Sequence, residues 1–299
     1  MANSSTENRS TLDSPILFDL TGRTVIEAAG PDAATFLHNL CTQDIKTLPV
    51  GETREAFLTT NKARVVAHVW ITHRATNLFW LETVARQAEK ILEHLNRFLI
   101  SEQVELTDRT LEVGVLRVIG AGAGSLAGSH GRSHQLSGVE GVDCFYPIKE
   151  AATLRQSLVA AGATLGDAAW YNVLRIEAGL PEYGIDIDEN RLAMEVNRPQ
   201  AISYNKGCYL GQETIVMARD RGQVNRLLMG ITIAGDTPFA AGAKAMRGND
   251  EVGQVTSSVF SPRLGQVIAL AYLKRGSWDA GTKVEVDGRP GIVSALPFC

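Results

Sequence analysis

The stretch Lys206-Gly207-Cys208-Tyr209-Leu210-Gly211-Gln212-Glu213-Thr214 decides how the rest of this chain is interpreted. Its first eight residues carry an amine, a thiol, a phenol, an amide and a carboxylate. Glycine adopts positive φ and lets a ligand approach the backbone, so the two glycines favour a loop over a core strand. We therefore predict a loop that displays Lys206, Cys208 and Gln212 at the edge of a cleft.

Two interpretations of Cys208 follow from this composition. The lysine two positions before it favours the thiolate, which is the reactive form of cysteine. Free cysteine is also among the most buried residue types, so a tight turn around an inert thiol fits the same residues. The composition of the stretch leaves both interpretations open.

Composition and charge define the class of protein. The 299 residues are 44% hydrophobic and 21% charged, as expected for a globular chain of two or three domains. The formal net charge of −4 gives no general basic field, so no direct nucleic-acid binding is expected. No apolar run approaches the ~20 residues that span a bilayer. We expect a monomer that does not associate with membranes.

Cysteine usage and the N-terminus indicate a compartment. The four cysteines are far apart and form no CxxC pair; they are Cys41, Cys144, Cys208 and Cys299. No apolar signal region precedes them, so free thiols in a reducing cytoplasm are predicted. Residues 1–15 are rich in Ser, Thr and Asn and are predicted to form a disordered tail. Their acidic residues do not fit an organelle transit peptide.

Residues 16–222 alternate between strand and helix patterns. The clearest helix is Ala88–Ile100, whose apolar residues recur at helical spacing. A strand, a glycine turn and a helix occur twice, once around Gly30 and once around Gly120. This repeat predicts an α+β body of two intertwined subdomains with mixed or antiparallel sheets.

Three further segments of the body carry local predictions. Phe18–Ala28 is predicted to be one strand, and the polar, Gly-rich segment Ser129–Gly141 an exposed loop. Pro181–Tyr204 has little periodicity and many acids, so it is predicted to be a long irregular connection, which is often functional.

The chain changes character after Val224. Short β-type runs separated by Gly, Pro and Asn predict a small antiparallel barrel. The runs are Leu228–Ile233, Gly253–Ser257, Val267–Leu273 and Lys283–Val286. We place the domain boundary near Gly222, with the barrel over residues 223–299.

Three known motifs occur in weak or incomplete form. Gly122–Ala127 matches GxGxxG/A after a strand, which indicates either a dinucleotide loop or a structural strand-to-helix corner. The EF-hand-like start at Asp186 lacks the required glycine and the final glutamate, which argues against calcium. His130 and His134 have a metal-like spacing without further ligands, so no metal site is predicted.

The stretch KGCYLGQET resembles the signature of the YgfZ-like folate-binding family, which is related to the glycine-cleavage T-protein, an aminomethyltransferase. Further segments resemble this superfamily more loosely, and together they cover nearly the whole chain after the tail. They are Phe36–Ile45, Asn61–Arg64, Leu174–Asp186, Ala201–Ser203 and Val252–Ser257.

The resemblance implies a three-part ring around a central hole that holds tetrahydrofolate. It also implies a role in iron–sulfur cluster assembly or repair, with client or assembly proteins as partners and effects on tRNA modification enzymes. By this resemblance, the loop beside the folate comprises Lys206, Cys208, Tyr209, Gln212 and Glu213, of which Cys208 and Lys206 are the catalytic candidates. The candidate cleft residues are Arg64, Arg175, Tyr183, Asp186 and Glu195.

Acidic residues are concentrated in this part of the chain, and most of them fit a charged surface with weak ion pairs. One or two could instead accept a bidentate pair of hydrogen bonds from the aminopyrimidinone edge of a pterin. The sequence does not indicate which acid would do so.

The chain also departs from these families. T-proteins carry an aspartate in the strand after the Asn-containing turn, whereas Val66–Val69 contains no carboxylate, and no Gly-Tyr-Thr-Gly-Glu motif occurs near Asp143. Both differences argue against glycine-cleavage chemistry. Ala63 replaces a glycine that is usual in the YgfZ-like branch, and Met217 replaces a common arginine.

Three functions remain under consideration. The first is a folate-dependent protein of iron–sulfur metabolism, in which Cys208 acts as a nucleophile or redox thiol or contacts the client; one cysteine cannot hold a cluster alone. The second is an aminomethyl- or methyltransferase that uses tetrahydrofolate, with His68 as a base in place of the aspartate. The third is a scaffold that has lost folate binding.

Overall fold

The computed structural model describes residues 14–127, 131–136, 139–220, 222 and 224–298. Most of the predicted tail, His130 and Cys299 lie outside these residues, as does the side chain of His134. The helices of the described part are α1 Ala33–Leu40, α2 Ala88–Asn96, α3 Ala123–Ala127, α4 Ala151–Ala160, α5 Ala168–Glu177 and α6 Gln212–Asp220.

The strands of the body are β1 Ile16–Asp19, β2 Thr24–Ala29, β3 Thr53–Thr59, β4 Val65–Ala75, β5 Leu78–Thr83, β6 Glu105–Asp108, β7 Val113–Ile119, β8 Gly131–Leu136, β9 Val139–Pro147 and β10 Thr164–Leu165. Those of the C-terminal part are β11 Arg226–Ile233, β12 Lys244–Arg247, β13 Asp250–Ser261, β14 Gln266–Lys274, β15 Lys283–Val286 and β16 Arg289–Ser294.

The body contains two five-stranded sheets that share an architecture. The first has the order β3-β4-β5-β2-β6 and is antiparallel throughout. The second has the order β10-β1-β7-β9-β8 and is antiparallel except for the β1–β10 pair. The predicted α+β fold with mixed or antiparallel sheets is confirmed.

The glycine turns of the predicted repeat have matching conformations. Gly30 follows β2 with a φ of 141°, and Gly120 follows β7 with a φ of 120°. Each carbonyl accepts a hydrogen bond from an amide three residues on, Ala33 N at 3.0 Å and Ala123 N at 3.1 Å. A Cβ at Gly30 would lie 2.1 Å from Gln103 O, so only glycine fits there. Gly122–Ala127 accordingly forms a strand-to-helix corner that leads into α3.

Three predicted elements differ in the structure. Phe18–Ala28 is divided by a turn in which Gly22 has a φ of 95°, so β1 and β2 join different sheets. The predicted loop Ser129–Gly141 is wrong, because β8 and the start of β9 pair there. A polar strand at a sheet edge lacks the apolar alternation that marks most strands. The predicted helix Ala88–Ile100 ends at Asn96.

Buried charges connect the two sheets of the body. Arg117 binds Asp143 through two hydrogen bonds, from Nε to Oδ1 at 2.6 Å and from Nη2 to Oδ2 at 2.8 Å. Arg132 contacts both Asp143 on β9 and Glu82 on β5, and Arg23 also donates to Glu82. Arg117, Arg132, Asp143 and Glu82 are buried, so each of these charges needs the opposite charges around it.

The C-terminal strands form a closed barrel in the order β11-β14-β13-β12-β15-β16, which confirms the predicted barrel. Small and branched apolar side chains fill its interior, among them Ile231, Val255, Ala269 and Val286. Closure pairs every strand and leaves no free sheet edge. Within the described residues, none of the helices is both long and apolar enough to cross a membrane.

Candidate functional site

The KGCYLGQET stretch begins with a buried lysine that anchors it to helix α1. Lys206 Nζ donates to the carbonyl oxygens of Cys41 and Gln43, at 2.8 Å each, and to that of His38. The carbonyls at the end of a helix lack intrahelical partners and attract a cation. The expected display of Lys206 at a cleft is therefore wrong, since only 8% of the residue is exposed. Burial lowers its pKa to about 8.

The remainder of the stretch also packs against α1 and the first sheet. Leu210 N donates to Asn39 O at 2.9 Å, and Thr59 Oγ1 donates to Leu210 O at 2.7 Å. Gly211 has a φ of 87°, and a Cβ there would lie 2.7 Å from Thr60 O. This close approach explains the glycine that precedes α6.

The structure exposes Cys208 and buries the residues on which its loop rests. Cys41 and Cys144 are buried, whereas Cys208 is exposed, so the interpretation as a buried inert thiol is wrong. The Tyr209 ring lies 4.6 Å from Lys206 Nζ, and its hydroxyl is buried without a hydrogen-bond partner among the described residues. The loop is thus a fixed support for one accessible thiol.

The segment that carries Glu195 lies along the turn between β3 and β4. Val65 N donates to Arg191 O at 2.9 Å, Ala193 N donates to Ala63 O at 3.0 Å, and Arg64 donates to Asn190 O at 3.1 Å. These bonds hold the predicted residues Arg64 and Glu195 on adjacent backbone segments.

Glu195 is half-buried and only partly used by the protein. Its Oε2 accepts from Leu192 N at 3.2 Å, and the described residues offer Oε1 no donor. Burial raises the pKa of this carboxyl, although Arg191, Arg226 and Arg64 oppose the shift. A half-buried carboxylate with an unused oxygen can accept hydrogen bonds from a ligand.

Further unsatisfied groups lie near Glu195. Arg191 is centred 3.9 Å from the centroid of the Tyr272 ring, on barrel strand β14. Arg191 Nε and Tyr272 OH are buried, and neither finds a hydrogen-bond partner in the described part of the chain. Tyr272 is close enough to Glu195 for that charge to raise its pKa, after the larger effect of burial. Buried polar groups that find no protein partner can form hydrogen bonds with a ligand or with water.

Arg175 and Asp186, by contrast, are satisfied within the protein. Asp186 accepts from Arg175 Nη1 at 2.8 Å, from Glu182 N at 2.9 Å and from the hydroxyls of Thr256 and Ser257 at 2.5 and 2.6 Å. Four donors fill the capacity of a carboxylate. These two predicted cleft residues therefore join the body to barrel strand β13.

A cavity lies between β4 and the segment after α5, and we call it the junction cavity. Its wall includes Arg23, His68, Trp70, Tyr171, Arg175 and Tyr183. The Tyr183 hydroxyl accepts a hydrogen bond from Lys90 Nζ. The space is about 10 Å³, the room of one water molecule, so a larger ligand enters only when a wall side chain moves.

His68 in this wall belongs to a buried chain of polar groups. Its Nε2 lies 2.7 Å from Glu55 Oε1, and Arg198 binds both oxygens of Glu55 at 2.7 Å. Burial opposes the charge of Glu55, but hydrogen bonds from His68 and Arg198 outweigh it and lower its pKa to about 2. The carboxylate is thus ionised at neutral pH.

The structure therefore gathers the predicted residues into three groups. Cys208 and Glu213 are exposed at the loop and at the start of α6, where Gln212 is half-buried. Glu195 lies near barrel residue Tyr272, with Arg64 on the adjacent segment, and Tyr183 and Arg175 line the junction cavity. Sequence analysis did not identify Glu55 and Arg198 as site residues. Their only signal in the sequence is their opposite charge, because the segments around them carry no motif. The described residues contain no group of three or more side chains arranged to hold a metal.

The chain matches two domain families in the order of its structure. Residues 1–137 match the GCVT N-terminal domain, and residues 226–298 match the glycine cleavage T-protein C-terminal barrel domain. Together, the two matches support the T-protein superfamily. The second match coincides with the six-stranded barrel.

Relatives and a solved structure agree with this superfamily. An aminomethyltransferase of Rubrobacter xylanophilus is 29% identical, covering 94% of this chain and 82% of the relative. One from Thermus thermophilus is 27% identical, covering 94% and 86%. The crystal structure of the glycine cleavage system aminomethyltransferase T of Bartonella henselae matches with a TM-score of 0.88 and 23% identity, covering 98% of this chain and 88% of that one. At this identity, the structural match establishes the T-protein fold.

Proposed function

We propose that this member of the T-protein superfamily binds tetrahydrofolate where the body meets the barrel and acts in iron–sulfur cluster assembly or repair. The observation that carries the folate proposal is Glu195, with its unused Oε1 beside the unsatisfied Arg191 Nε and Tyr272 OH. A carboxylate acceptor and two polar groups fit the donors and acceptors of a pterin edge. Glu195 and Arg191 would hold this edge.

Cys208 supports the second part of the proposal. Buried Lys206 fixes the position of the loop, and the Cys208 thiol is the accessible reactive group of that loop. The KGCYLGQET resemblance favours a role toward an iron–sulfur client, and any cluster held here would need ligands from another chain. Cys208 would therefore contact the client, whereas folate binding would depend on Glu195.

A second candidate function is aminomethyl transfer to tetrahydrofolate. The names of the relatives favour it, and the T-protein fold is compatible with it. Bound tetrahydrofolate would supply the nitrogen that receives the one-carbon unit. The strand after the Asn61 turn carries His68 and no carboxylate, which favours the first candidate.

The test is anaerobic calorimetric titration with tetrahydrofolate. We expect saturable binding by the wild type and by Cys208→Ser, and binding weaker by about tenfold or more in Glu195→Gln, the effect of losing a charged hydrogen bond. Glu189→Gln is the matched control, because Glu189 is exposed on the same segment. Equal binding by Glu195→Gln and the wild type would contradict the proposed contact.

Two further assays separate the candidate functions. Ammonia release from an aminomethyl donor, dependent on tetrahydrofolate, would establish the transferase. Loss of activity of an iron–sulfur enzyme in cells that carry only Cys208→Ser, with folate binding intact, would establish the cluster role. Absence of tetrahydrofolate binding by the wild type would overturn both and leave a scaffold.

A further inference from the structure

We propose that a cleft between the two body sheets binds a small monocarboxylate with a flat apolar body, through the guanidinium of Arg74. We call it the aromatic cleft; it has a volume of about 300 Å³, and its wall includes Arg74, Trp80, Glu112, Val113, Phe145 and Pro147. Neither Glu195 nor any wall residue of the junction cavity lines it, so this site is separate from the proposed folate function.

Both sheets of the body supply walls of the aromatic cleft. Strands β4 and β5 of the first sheet carry Arg74 and Trp80, and strands β7 and β9 of the second carry Val113, Phe145 and Pro147. The rings of Trp80 and Phe145 meet edge to face, with their centroids 5.6 Å apart. The cleft is therefore framed by strands and packed rings, which position a binding group more precisely than loops do.

Arg74 has no charged partner among the described residues. Its guanidinium carbon lies 4.3 Å from the centroid of the Trp80 ring and 5.6 Å from that of Phe145. Burial lowers the pKa of Arg74, and none of the described carboxylates lies near enough to oppose that shift. The same part of the chain offers its N–H groups no hydrogen-bond acceptor. A guanidinium stacked on aromatic rings keeps its N–H edge free, and that edge fits a carboxylate through two parallel hydrogen bonds.

The acids beside Trp80 and in the cleft wall are paired with a second arginine. Arg109 donates to Glu27 Oε1 from Nε at 3.2 Å and from Nη2 at 2.8 Å, and to Glu112 Oε2 from Nη1 at 2.8 Å. Glu27 Oε2 accepts from Trp80 Nε1 at 2.9 Å, which fixes the indole on which Arg74 stacks. Because Arg109 pairs with both carboxylates, the charge of Arg74 remains available to a ligand.

Tyr146, a further residue of the wall, also has a partner within the protein. Its hydroxyl lies 2.6 Å from Thr21 Oγ1. A Cβ at Gly114 would lie 2.5 Å from the Tyr146 ring, so the glycine lets this ring rest against β7. With the Tyr146 hydroxyl and the Trp80 indole engaged, the N–H groups of Arg74 are the donors that the wall presents to a ligand.

The charges and volume of the cleft determine the class of ligand. Arg74 is the cation of the wall and Glu112 its carboxylate, so one negative charge finds a partner and a second would face repulsion. Val113, Phe145 and Pro147 form an apolar surface that suits an apolar body. A volume of about 300 Å³ is at the small end of ligand sites. These features favour a small aromatic monocarboxylate over a dicarboxylate or a phosphate ester.

The experiment compares phenylacetate with its neutral isostere phenylacetamide by NMR titration of the full chain. We expect the wild type to bind phenylacetate about tenfold more tightly, the effect of a charged hydrogen bond, and Arg74→Met to lose this preference. Methionine keeps an apolar contact with Trp80 and removes the charge. Arg97→Met is the matched control, because Arg97 is exposed just after α2 and pairs with Glu93.

Three results would contradict the proposal. Equal affinities of the wild type for the acid and the amide, or a preference that survives in folded Arg74→Met, overturn the role of Arg74. Tighter binding of succinate than of phenylacetate overturns the proposed class of ligand. Absence of phenylacetate binding by the wild type overturns the site and leaves Arg74 as a solvated side chain on Trp80. None of these results depends on whether the protein binds tetrahydrofolate.

A second measurement uses the wild type alone, in case the variant fails to fold. The Nε–H resonance of an arginine responds to the acceptor that its guanidinium contacts. We expect the resonance of Arg74 to move further with phenylacetate than with phenylacetamide, because the carboxylate accepts from the guanidinium. Equal movement at saturation, or none with phenylacetate, overturns the inference.

Discussion

Lys206 illustrates how a reactive residue type can have a structural use. Its ammonium has three backbone carbonyl partners in the last turn of α1 and the segment directly after it, and the Tyr209 ring covers it. A buried charge is tolerated only when its hydrogen bonds are made, and here each ammonium hydrogen has an acceptor. The lysine therefore sets the position of the loop, and Cys208 is the reactive residue that the loop exposes.

Replacing Lys206 by methionine should destabilise the fold and leave the carbonyls at the end of α1 without a donor. We expect a loss of about 2 kcal/mol in the free energy of unfolding, the cost of buried acceptors without partners. Urea unfolding measures the difference. Lys46→Met is the control, because Lys46 is exposed near the same helix end. Equal stability of the two variants would contradict the anchoring role.

Helix α2 carries a histidine whose burial makes the element sensitive to acid. His94 is 8% exposed, and its Nε2 finds no hydrogen-bond partner among the described residues. Burial, followed by the charges of Arg97 and Lys90, lowers its pKa to about 4. The unfolded chain binds this proton near pH 6.5 and the native chain does so only near pH 4, so acidification between these values favours unfolding.

The pH dependence of stability tests this property of α2. Between pH 6.5 and 4, the free energy of unfolding of the wild type should fall by about 3 kcal/mol through His94 alone, since each pKa unit is worth about 1.4 kcal/mol. His94→Leu should remove that part of the loss. Urea unfolding at several pH values provides the measurement, and parallel curves for the two proteins would show that His94 does not titrate in this way.

Elements with strong local signals could be predicted from the sequence, and those defined by distant partners could not. The barrel strands have short apolar runs and the two turns have obligatory glycines, so these local patterns were sufficient to predict them. Strand β8 is polar because it lies at a sheet edge, and its sequence favours a loop. The display of Cys208 was predicted, but the burial of Lys206 depends on α1, far away in the chain.

At the scale of the whole molecule, the candidate site is a property of assembled segments. Glu55 and Arg198 are 143 positions apart and His68 lies on another strand, so no local spacing relates them. The same applies to Glu195 and Tyr272, which meet where the body contacts the barrel. A single sequence gives the residues of such a site, but only the folded structure shows which of them lie close together.

The Arg175–Asp186 pair should determine whether body and barrel unfold together. Asp186 is 2% exposed and joins Arg175 of α5 to Thr256 and Ser257 of β13. Asp186→Asn removes the closer of two counter-ions from the buried guanidinium of Arg175 and leaves only Glu182, 3.5 Å from Nε, so we expect a loss of about 3 kcal/mol. Because this contact spans the junction, the barrel strands should then exchange amide hydrogens in advance of the body, as a separate unit, in exchange mass spectrometry. Asp188→Asn, an exposed carboxylate two positions on, should leave both stability and cooperativity unchanged. Uniform exchange in Asp186→Asn would mean that other contacts suffice to couple the two parts.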